Sequence, residues 1–298
     1  MINLDPRLLQ AAQGGELICI VGPTASGKSD IALALCEAVE GEIVSADSVQ
    51  VYREFQQGTS KPTPEELSRA RHHLVDFLDP HDTMTGARYP ELADAAIADI
   101  RARGKVPIVC GGTFLWVRAL VRGLVELPDP DQQLRDELER EANRHGRAAL
   151  HRRLADVDPE SAERLHPNDF VRVSRALEVY AQTGRKLSAW QGEHGFQHVR
   201  HPHQLFGITR PIDELRARIR ARIRHWLANG WVDEVQALHR RGYGNARAMG
   251  SLGFKEISAH LRGELPLSEL EDTIEKATRV YVRRQTTWLR GQEVTWLL

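Results

Sequence analysis

Cysteine is scarce in this 298-residue chain, which has only Cys19, Cys36 and Cys110. The three are far apart, each lies in an apolar segment, and their spacing fits neither a metal site nor a disulfide framework. We therefore expect buried structural thiols. Long apolar runs are also missing, since none approaches the roughly 20 residues that a membrane-spanning helix needs. These absences exclude a disulfide-stapled scaffold and argue against a helical membrane protein.

The N-terminal stretch MINLDPRLLQAAQGG lacks the basic segment and following apolar stretch of a signal peptide. Low-complexity tracts are missing too, so we expect a folded, soluble protein. Together these features predict a cytoplasmic location and no membrane partner.

An excess of charge of one sign is also lacking, because 40 Lys and Arg oppose 41 Asp and Glu, for a net charge of −1. The basic residues are nevertheless clustered. Seven arginines and two acids lie between positions 200 and 230, and five basic residues without any acid lie between 276 and 290. Such clusters allow a polyanionic partner, although an Arg-rich helix is as often a solvated surface.

The first informative motif is GPTASGKS, which directly follows the apolar run LICIV. It matches the phosphate-binding pattern G-x-x-x-x-G-K-[ST] at every required position. In this pattern Lys28 contacts terminal phosphate oxygens, Ser29 contacts a phosphate-bound Mg²⁺, and backbone amides face the anion at a helix N-terminus. The predicted site for a diphosphate or triphosphate consists of Gly22, Pro23, Thr24, Ala25, Ser26, Gly27, Lys28 and Ser29. The loop recognises phosphate oxygens and says nothing about the group attached to them.

Strand patterns alternate with helical patterns around this loop. Predicted strands are LICIV, EIVSADS at 42–48, KVPIVCGGT at 105–113 and LFGITR at 205–210; predicted helices are SDIALALCEAVE, 213–229 and 269–289. This alternation predicts an α/β fold of the P-loop type, with a mainly parallel sheet flanked by helices. Ligands of such sheets bind beyond the carboxyl ends of the strands.

The character of the sequence changes near Leu127, where strand patterns give way to charge-dense helical periodicity. We predict an inserted all-helical domain at 124–203 and a catalytic core formed by 1–123 together with 204–298.

Asp47 and Thr113 follow two of the predicted strands. Asp47 can hold Mg²⁺, remove a proton from an acceptor, or cap a helix. The stretch DSVQVYREFQQGTSKP that contains it is rich in hydrogen-bonding groups, which favours a functional role. Thr113 follows a glycine pair and either donates to a leaving phosphate oxygen or belongs to a plain tight turn. The sequence has no guanine-reading NKxD motif, and no strand has the pattern of four apolar residues followed by an acid that is typical of an ATPase site. Both absences argue against a GTPase or a motor.

A series of motifs in this order resembles the tRNA dimethylallyltransferase family, also called tRNA isopentenyltransferase: GPTASGKS, DSVQVY, GTSKP, GGTFLW, HPNDFVRVSRALE, LGFKE and RRQTTWLRG. The resemblance covers about 22–291. It implies transfer of a dimethylallyl group from dimethylallyl diphosphate to N6 of the adenosine 3′ of certain tRNA anticodons, with release of diphosphate. The family's fold implies that the helical insertion binds tRNA.

The resemblance also implies roles for individual residues. Asp47 is the expected general base at N6, Thr113 touches both tRNA and diphosphate, and Arg218 or Arg222 contacts the diphosphate beside Mg²⁺. The implied tRNA-binding residues are Asp47, Ser48, Val49, Gln50, Thr113, Arg135, Val171, Arg172, Val173, Ser174, Arg175, Ala248, Met249, Gly250, Ser251, Leu252 and Gly253. Phe254 stands where the family usually has Tyr, and Arg283 where it usually has Lys.

Two other functions stay open at this point. A P-loop kinase of small molecules or nucleosides would use Asp47 as base and bind ATP on the loop. A non-catalytic RNA-binding protein would retain the loop as a relict. We expect a monomer, because one chain supplies both the core and the tRNA-binding insertion.

Overall fold

The computed structural model describes residues 2–196 and 198–297. By packing, the chain divides into two compact units. The first contains the residues up to Val121 and those from Arg200 onward, and the second is Arg122–Val199. The backbone N–H of Arg200 donates to the carbonyl oxygen of Val121 at 2.9 Å, so the chain leaves and re-enters the first unit at one point.

The described part of the first unit contains a six-stranded parallel sheet with the order β3-β2-β4-β1-β5-β6. Its strands are β1 Leu17–Val21, β2 Gly41–Ser45, β3 His72–His73, β4 Val106–Gly111, β5 His203–Ile208 and β6 Thr295–Leu297. All of β1 and β2 is buried, as expected for central strands covered on both faces. The four predicted strands and the fold class are confirmed. The two edge strands β3 and β6 were not predicted from the sequence.

Helices cover both faces of this sheet and make up the second unit. In chain order they are α1 Pro6–Gln13, α2 Lys28–Val39, α3 Pro64–Arg69, α4 Arg88–Ala102, α5 Phe114–Arg122, α6 Gln132–His145, α7 Arg147–Val157, α8 Pro159–Arg164, α9 Phe170–Thr183, α10 Leu187–His194, α11 Ile212–Ala228, α12 Trp231–Arg240, α13 Phe254–Leu261 and α14 Leu267–Arg290, with short 3₁₀ turns at Tyr243–Asn245 and Arg247–Gly250. The three predicted helices are confirmed as α2, α11 and α14. No helix among the described residues is long and apolar enough to cross a bilayer.

Alternate side chains of β1 enter two separate hydrophobic cores. Leu17, Cys19 and Val21 pack on the face covered by α4, α5 and α11–α14, whereas Ile18 and Ile20 pack on the face covered by α1 and α2. This alternation follows from the two-residue period of a strand. All three cysteines are buried and free, as predicted. Burial raises the pKa of the Cys110 thiol to about 11.

Helices are the regular secondary structure of the second unit's described residues, and the unit has its own core, which includes Leu138, Leu154 and Leu177. Asp158 lies at the centre of a buried hydrogen-bond cluster. Its carboxylate accepts the backbone N–H and the hydroxyl of both Ser161 and Ser188, at 2.6–3.1 Å. Burial acts to raise the pKa of Asp158, but these hydrogen bonds lower it overall.

Candidate active site

A cavity of about 790 Å³ opens at the carboxyl ends of the strands in the first unit. It lies where ligands of parallel sheets bind. Fourteen of the predicted site residues line it: Thr24, Ala25, Gly27, Lys28, Ser29, Asp47, Ser48, Val49, Gln50, Arg218, Arg222, Gly250, Ser251 and Leu252. Ala248 and Met249 do not line it, because their side chains are buried in the adjoining core.

The phosphate loop connects β1 to α2 in a conformation that only certain residues tolerate. Ala25 and Gly27 have φ values of 65° and 92°. A Cβ on Gly22 would lie 2.7 Å from the Ser26 hydroxyl and 2.8 Å from the Ile208 carbonyl oxygen, so this position has no room for a side chain. The Ser26 hydroxyl is buried without a hydrogen-bond partner among the described residues. The loop is thus built tightly around the N-terminus of α2, the geometry that binds phosphate.

Lys28 and Arg222 bring positive charge to the cavity without a carboxylate partner among the described residues. Lys28 Nζ donates to the Pro23 carbonyl oxygen at 3.4 Å. The Arg222 guanidinium donates to the hydroxyls of Thr24 and Ser60 and lies 4.9 Å from the Trp226 ring centre. Burial lowers the pKa of Lys28, and burial lowers that of Arg222 to about 10. The Arg222 guanidinium stays charged at neutral pH, and both groups face the cavity where an anion would bind.

Arg218 lines the same cavity but is engaged by an acid. Its Nε donates to Glu214 at 3.0 Å, and the same carboxylate oxygen accepts from Arg210 at 2.9 Å. Arg210 Nε also donates to the Ser26 carbonyl oxygen at 2.6 Å. Of the two predicted diphosphate-binding arginines, Arg222 is the one left unpaired. Arg210, which supports the phosphate loop from outside, was not predicted from the sequence.

Asp47 uses one carboxylate oxygen for local structure and leaves the other available. Oδ1 accepts the backbone N–H groups of Val49 and Gln50 at 2.9 and 3.2 Å, which fixes the turn after β2; no helix begins at this point, so Asp47 does not cap one. No donor among the described residues reaches Oδ2. The side chain lines the cavity within electrostatic range of Lys28, Arg222 and Tyr281. The structural role of Oδ1 in this turn is therefore compatible with a reactive role of Oδ2.

Thr113 joins the ends of β2 and β4. Its hydroxyl oxygen accepts the Ser48 N–H at 3.0 Å, and its own N–H donates to the Ala46 carbonyl oxygen at 3.0 Å. A Cβ on Gly111 would lie only 2.2 Å from that carbonyl oxygen, so the tight turn requires glycine. The hydroxyl proton of Thr113 takes no part in the Ser48 bond and can still be donated.

Two glycines of the quoted motifs pack against Trp231 at the start of α12. A Cβ on Gly58 or on Gly253 would lie 2.2 or 1.9 Å from the indole ring. Gln50 fixes the neighbouring segment by donating to the Ser60 carbonyl oxygen at 2.7 Å. Glycine at 58 and 253 is thus explained by packing of the cavity wall.

Tyr281 and Gln285 on α14 also line the cavity, and sequence reasoning missed both. Burial and the nearby charge of Asp47 raise the pKa of Tyr281 to about 12. The available signal was weak, since RRQTTWLRG contributed to the family resemblance without assigning a role to its glutamine.

The predicted tRNA-binding residues of the second unit have varied surroundings within that unit. Arg135 and Arg175 both bind the buried Glu178, at 3.0 and 2.7 Å. Arg172 is 72% exposed and pairs with Asp169 at the start of α9. Val171 is exposed, whereas Val173 and Ser174 are buried. The tRNA-binding role of these residues stays a prediction.

His72 and His73 form the edge strand β3, where His73 Nε2 lies 2.7 Å from the buried Glu42 carboxylate. A two-residue edge strand has no periodicity that a sequence can reveal.

The fold and the cavity define a P-loop-type α/β protein in which a glycine-rich loop of the phosphate-binding pattern lies next to a carboxylate. The IPP transferase family profile matches residues 50–292. The chain is 58% identical to the tRNA dimethylallyltransferase of Sorangium cellulosum, over 95% of this chain and 90% of that protein. The chain belongs to the IPP transferase family.

Solved structures agree with this assignment. The tRNA isopentenylpyrophosphate transferase of Bacillus halodurans matches with a TM-score of 0.69 and 36% identity, over 95% of this chain and 89% of that one. A eukaryotic dimethylallyltransferase acting on tRNA matches with a TM-score of 0.78 and 26% identity, over 94% of this chain and 73% of that one. The predicted family resemblance is confirmed, and the kinase alternative is not favoured.

Proposed function

We propose that the chain transfers a dimethylallyl group from dimethylallyl diphosphate to N6 of the adenosine adjacent to the anticodon on its 3′ side in tRNA, releasing diphosphate. The observation that carries the proposal is the meeting of two unpaired cations, Lys28 and Arg222, with the open carboxylate oxygen of Asp47 in one cavity. This pairing suits a reaction in which an anion leaves while an amine loses a proton.

In the proposed reaction the amine nitrogen attacks the allylic carbon, and the bond from that carbon to the diphosphate oxygen breaks. Asp47 accepts the proton from N6, which makes a weakly nucleophilic aromatic amine reactive. Thr113 donates a hydrogen bond to the bridging oxygen as negative charge develops there. Ser48 connects the two groups, because it directly follows Asp47 and its backbone N–H donates to the Thr113 hydroxyl oxygen. This connection suits the Thr113 hydroxyl and the Asp47 carboxylate to their roles at one reacting centre.

Lys28, Arg222 and the amides of the phosphate loop bind the leaving diphosphate. The Ser29 hydroxyl of the loop is a hard oxygen ligand of the kind that Mg²⁺ prefers, and we propose that it would coordinate the ion. Bound Mg²⁺ would supply further neutralisation of the diphosphate charge. Arg218 contributes once it exchanges Glu214 for the anion.

The proposed tRNA partner binds through its anticodon stem-loop, in which splaying a loop base costs only a few kcal/mol. Val171, Arg172 and Arg175 of the helical domain, together with Arg135 and the 248–253 segment, provide its contacts. A monomer acting in the cytoplasm completes the proposal, since the substrate is tRNA and the cavity is built by one chain.

An incorporation assay tests this function against its alternatives. Labelled dimethylallyl diphosphate or labelled ATP is incubated with unmodified tRNA, and with a tRNA that lacks the target adenosine as control. Label should enter only the first tRNA, and only from dimethylallyl diphosphate. Label from ATP would favour the kinase, and tRNA binding without incorporation from either donor would favour an RNA-binding protein.

A further inference from the structure

Gln285 lies on α14 with its carboxamide between two loops of the cavity. The residue is 4% exposed. One loop is the phosphate loop that follows β1, and the other is the glycine turn that follows β4. Neither loop has the repeating hydrogen bonds of a helix or a sheet, so its backbone groups need partners from elsewhere.

The carboxamide binds one backbone group from each loop. The Thr24 N–H donates to Oε1 at 3.0 Å, and Nε2 donates to the Gly112 carbonyl oxygen at 3.0 Å. An amide is suited to this position because it offers an acceptor and a donor at one uncharged end. Gln285 thus connects the two loops through a single side chain.

The glycine at 112 fits this contact. A Cβ there would lie 2.6 Å from Gln285 Nε2 and 3.5 Å from the Gly22 carbonyl oxygen. Any side chain at 112 would therefore displace the carboxamide. The second glycine of the pair therefore serves the approach of Gln285.

Each bonded backbone group lies close to a residue of the proposed reaction. Thr24 belongs to the loop of Lys28, and its hydroxyl accepts from Arg222. Gly112 directly precedes Thr113. A change in the separation of the two loops would therefore move the leaving diphosphate relative to Thr113 and Asp47. Such displacements matter, because a misplacement of about 1 Å can lower a transfer rate about 100-fold.

We infer that Gln285 is a positioning residue, which holds the phosphate loop at a fixed distance from the turn of Thr113 and so sets the separation between the leaving diphosphate and the attacking amine. The inference rests on the proposed function, since that function defines the two reacting groups. Gln285 touches neither of them.

The variant Gln285→Met tests the inference, because methionine is similar in length and forms neither hydrogen bond. Its single-turnover transfer rate should fall about 30- to 100-fold, while its affinities for inorganic diphosphate and for tRNA each stay within about threefold of wild type. Gln292→Met is the matched control, since Gln292 follows α14 and does not line the cavity in the described structure. It should transfer at the wild-type rate.

Hydrogen exchange provides a second readout that does not depend on transfer. Backbone amides of 22–29 and 111–113 should exchange faster in Gln285→Met than in wild type or Gln292→Met. Unchanged exchange overturns the inference, as does a rate loss that merely follows a loss of substrate affinity. If wild type transfers no label, the proposed function fails, and the exchange data still decide whether Gln285 holds the loops. If Gln285→Met does not fold, Gln285→Glu serves instead, because it keeps the acceptor for Thr24 and loses the donor to Gly112.

Discussion

Arg222 of the first unit and Arg175 of the second unit have opposite electrostatic surroundings. Arg222 faces a cavity, donates to two hydroxyls and has no carboxylate partner among the described residues. Arg175 donates to the buried Glu178 at 2.7 Å and to the Pro128 carbonyl oxygen at 2.6 Å. An arginine of the first kind is available to a ligand, whereas one of the second kind stabilises its own helices.

The difference between these two kinds of arginine predicts which substitutions affect stability and which affect function. An unpaired cation that is partly removed from water destabilises the folded state, so its presence in the cavity indicates a functional requirement. The arginines around Glu178 compensate a buried charge, and removing any member leaves the others unsatisfied. Substitutions in the first unit's cavity should therefore reduce activity with little loss of stability, whereas every substitution around Glu178 should reduce stability, including those of arginines that also contact tRNA.

The largest effect is expected for Asp47→Asn, which keeps size and hydrogen bonding but cannot accept a proton. The single-turnover rate should fall by roughly two to four orders of magnitude, the usual range for loss of a general base. Thermal unfolding should change little, because the amide oxygen can still accept from Val49 and Gln50. Asp82→Asn, the same change on an exposed residue, is the control.

The Mg²⁺ dependence distinguishes the base from a metal ligand. If Asp47 is the base, the midpoint of the Mg²⁺ titration in Asp47→Asn stays at its wild-type value, since Ser29 and the substrate hold the ion. A large shift of the midpoint, with activity restored at high Mg²⁺, would assign Asp47 to the metal.

A slightly smaller loss of activity is expected for Lys28→Met, which removes one of the two unpaired cations. Transfer should fall about 100-fold or more through lost stabilisation of the leaving group. Affinity for tRNA should stay at the wild-type value, and the melting temperature should be equal or higher, because an uncompensated charge is gone. Lys255→Met, on an exposed side chain, is the control. A parallel collapse of tRNA affinity in a gel shift would contradict this separation of roles.

The contrast between the units was only partly predictable from the sequence. Lys28, Asp47 and Thr113 were found because each follows a strong apolar strand pattern at a loop with recognisable chemistry. The pairing of Arg135 and Arg175 with Glu178 was not found, because these residues are 43 and 3 positions from the acid and only the helix packing brings all three together. Gln285 and Arg210 were missed for the same reason, since both act on loops far away in the chain.

The edge strands β3 and β6 illustrate a second limit. Each has at most three residues, and pairing with an existing strand decides its conformation. Local propensity carries little information at that length.

In the second unit, Glu178→Ala should lower the free energy of unfolding by about 2 kcal/mol, because the Asp131 N–H, Arg135 and Arg175 lose their shared acceptor at once. Urea unfolding of the full chain measures the loss, and Glu139→Ala, an exposed residue of α6, is the control. Transfer by the folded fraction should change far less than in Asp47→Asn. A greater loss of rate than of stability would place Glu178 with the functional residues instead.

The stability that the Glu178 carboxylate contributes should decrease as the pH falls. Burial acts to raise the pKa of Glu178, but hydrogen bonds from Arg175, Arg135 and the Asp131 N–H lower it overall. A carboxyl whose pKa is lower in the folded state contributes stability above its unfolded value, about 4.3, and loses it as pH falls through the folded value. The difference in unfolding free energy between wild type and Glu178→Gln should therefore shrink below about pH 4.

The smallest effect is expected for Arg172→Ala, and it tests whether the second unit has a ligand-facing arginine of its own. Arg172 is 72% exposed and, among the described residues, forms an ion pair with Asp169 alone, so its removal should change stability by less than about 1 kcal/mol. If Arg172 contacts a tRNA phosphate, the slope of log affinity against log salt concentration in Arg172→Ala should become shallower by about one unit, through release of fewer counterions.

The control is Arg152→Ala, which replaces an exposed arginine on α7 and should leave the slope unchanged if Arg152 lies outside the interface. Arg175→Ala should lose stability as well as affinity, because Glu178 loses a partner. Equal slopes for wild type and Arg172→Ala would mean that the exposed arginine of α9 is a solvated surface residue, and the contrast between the two units would then be complete.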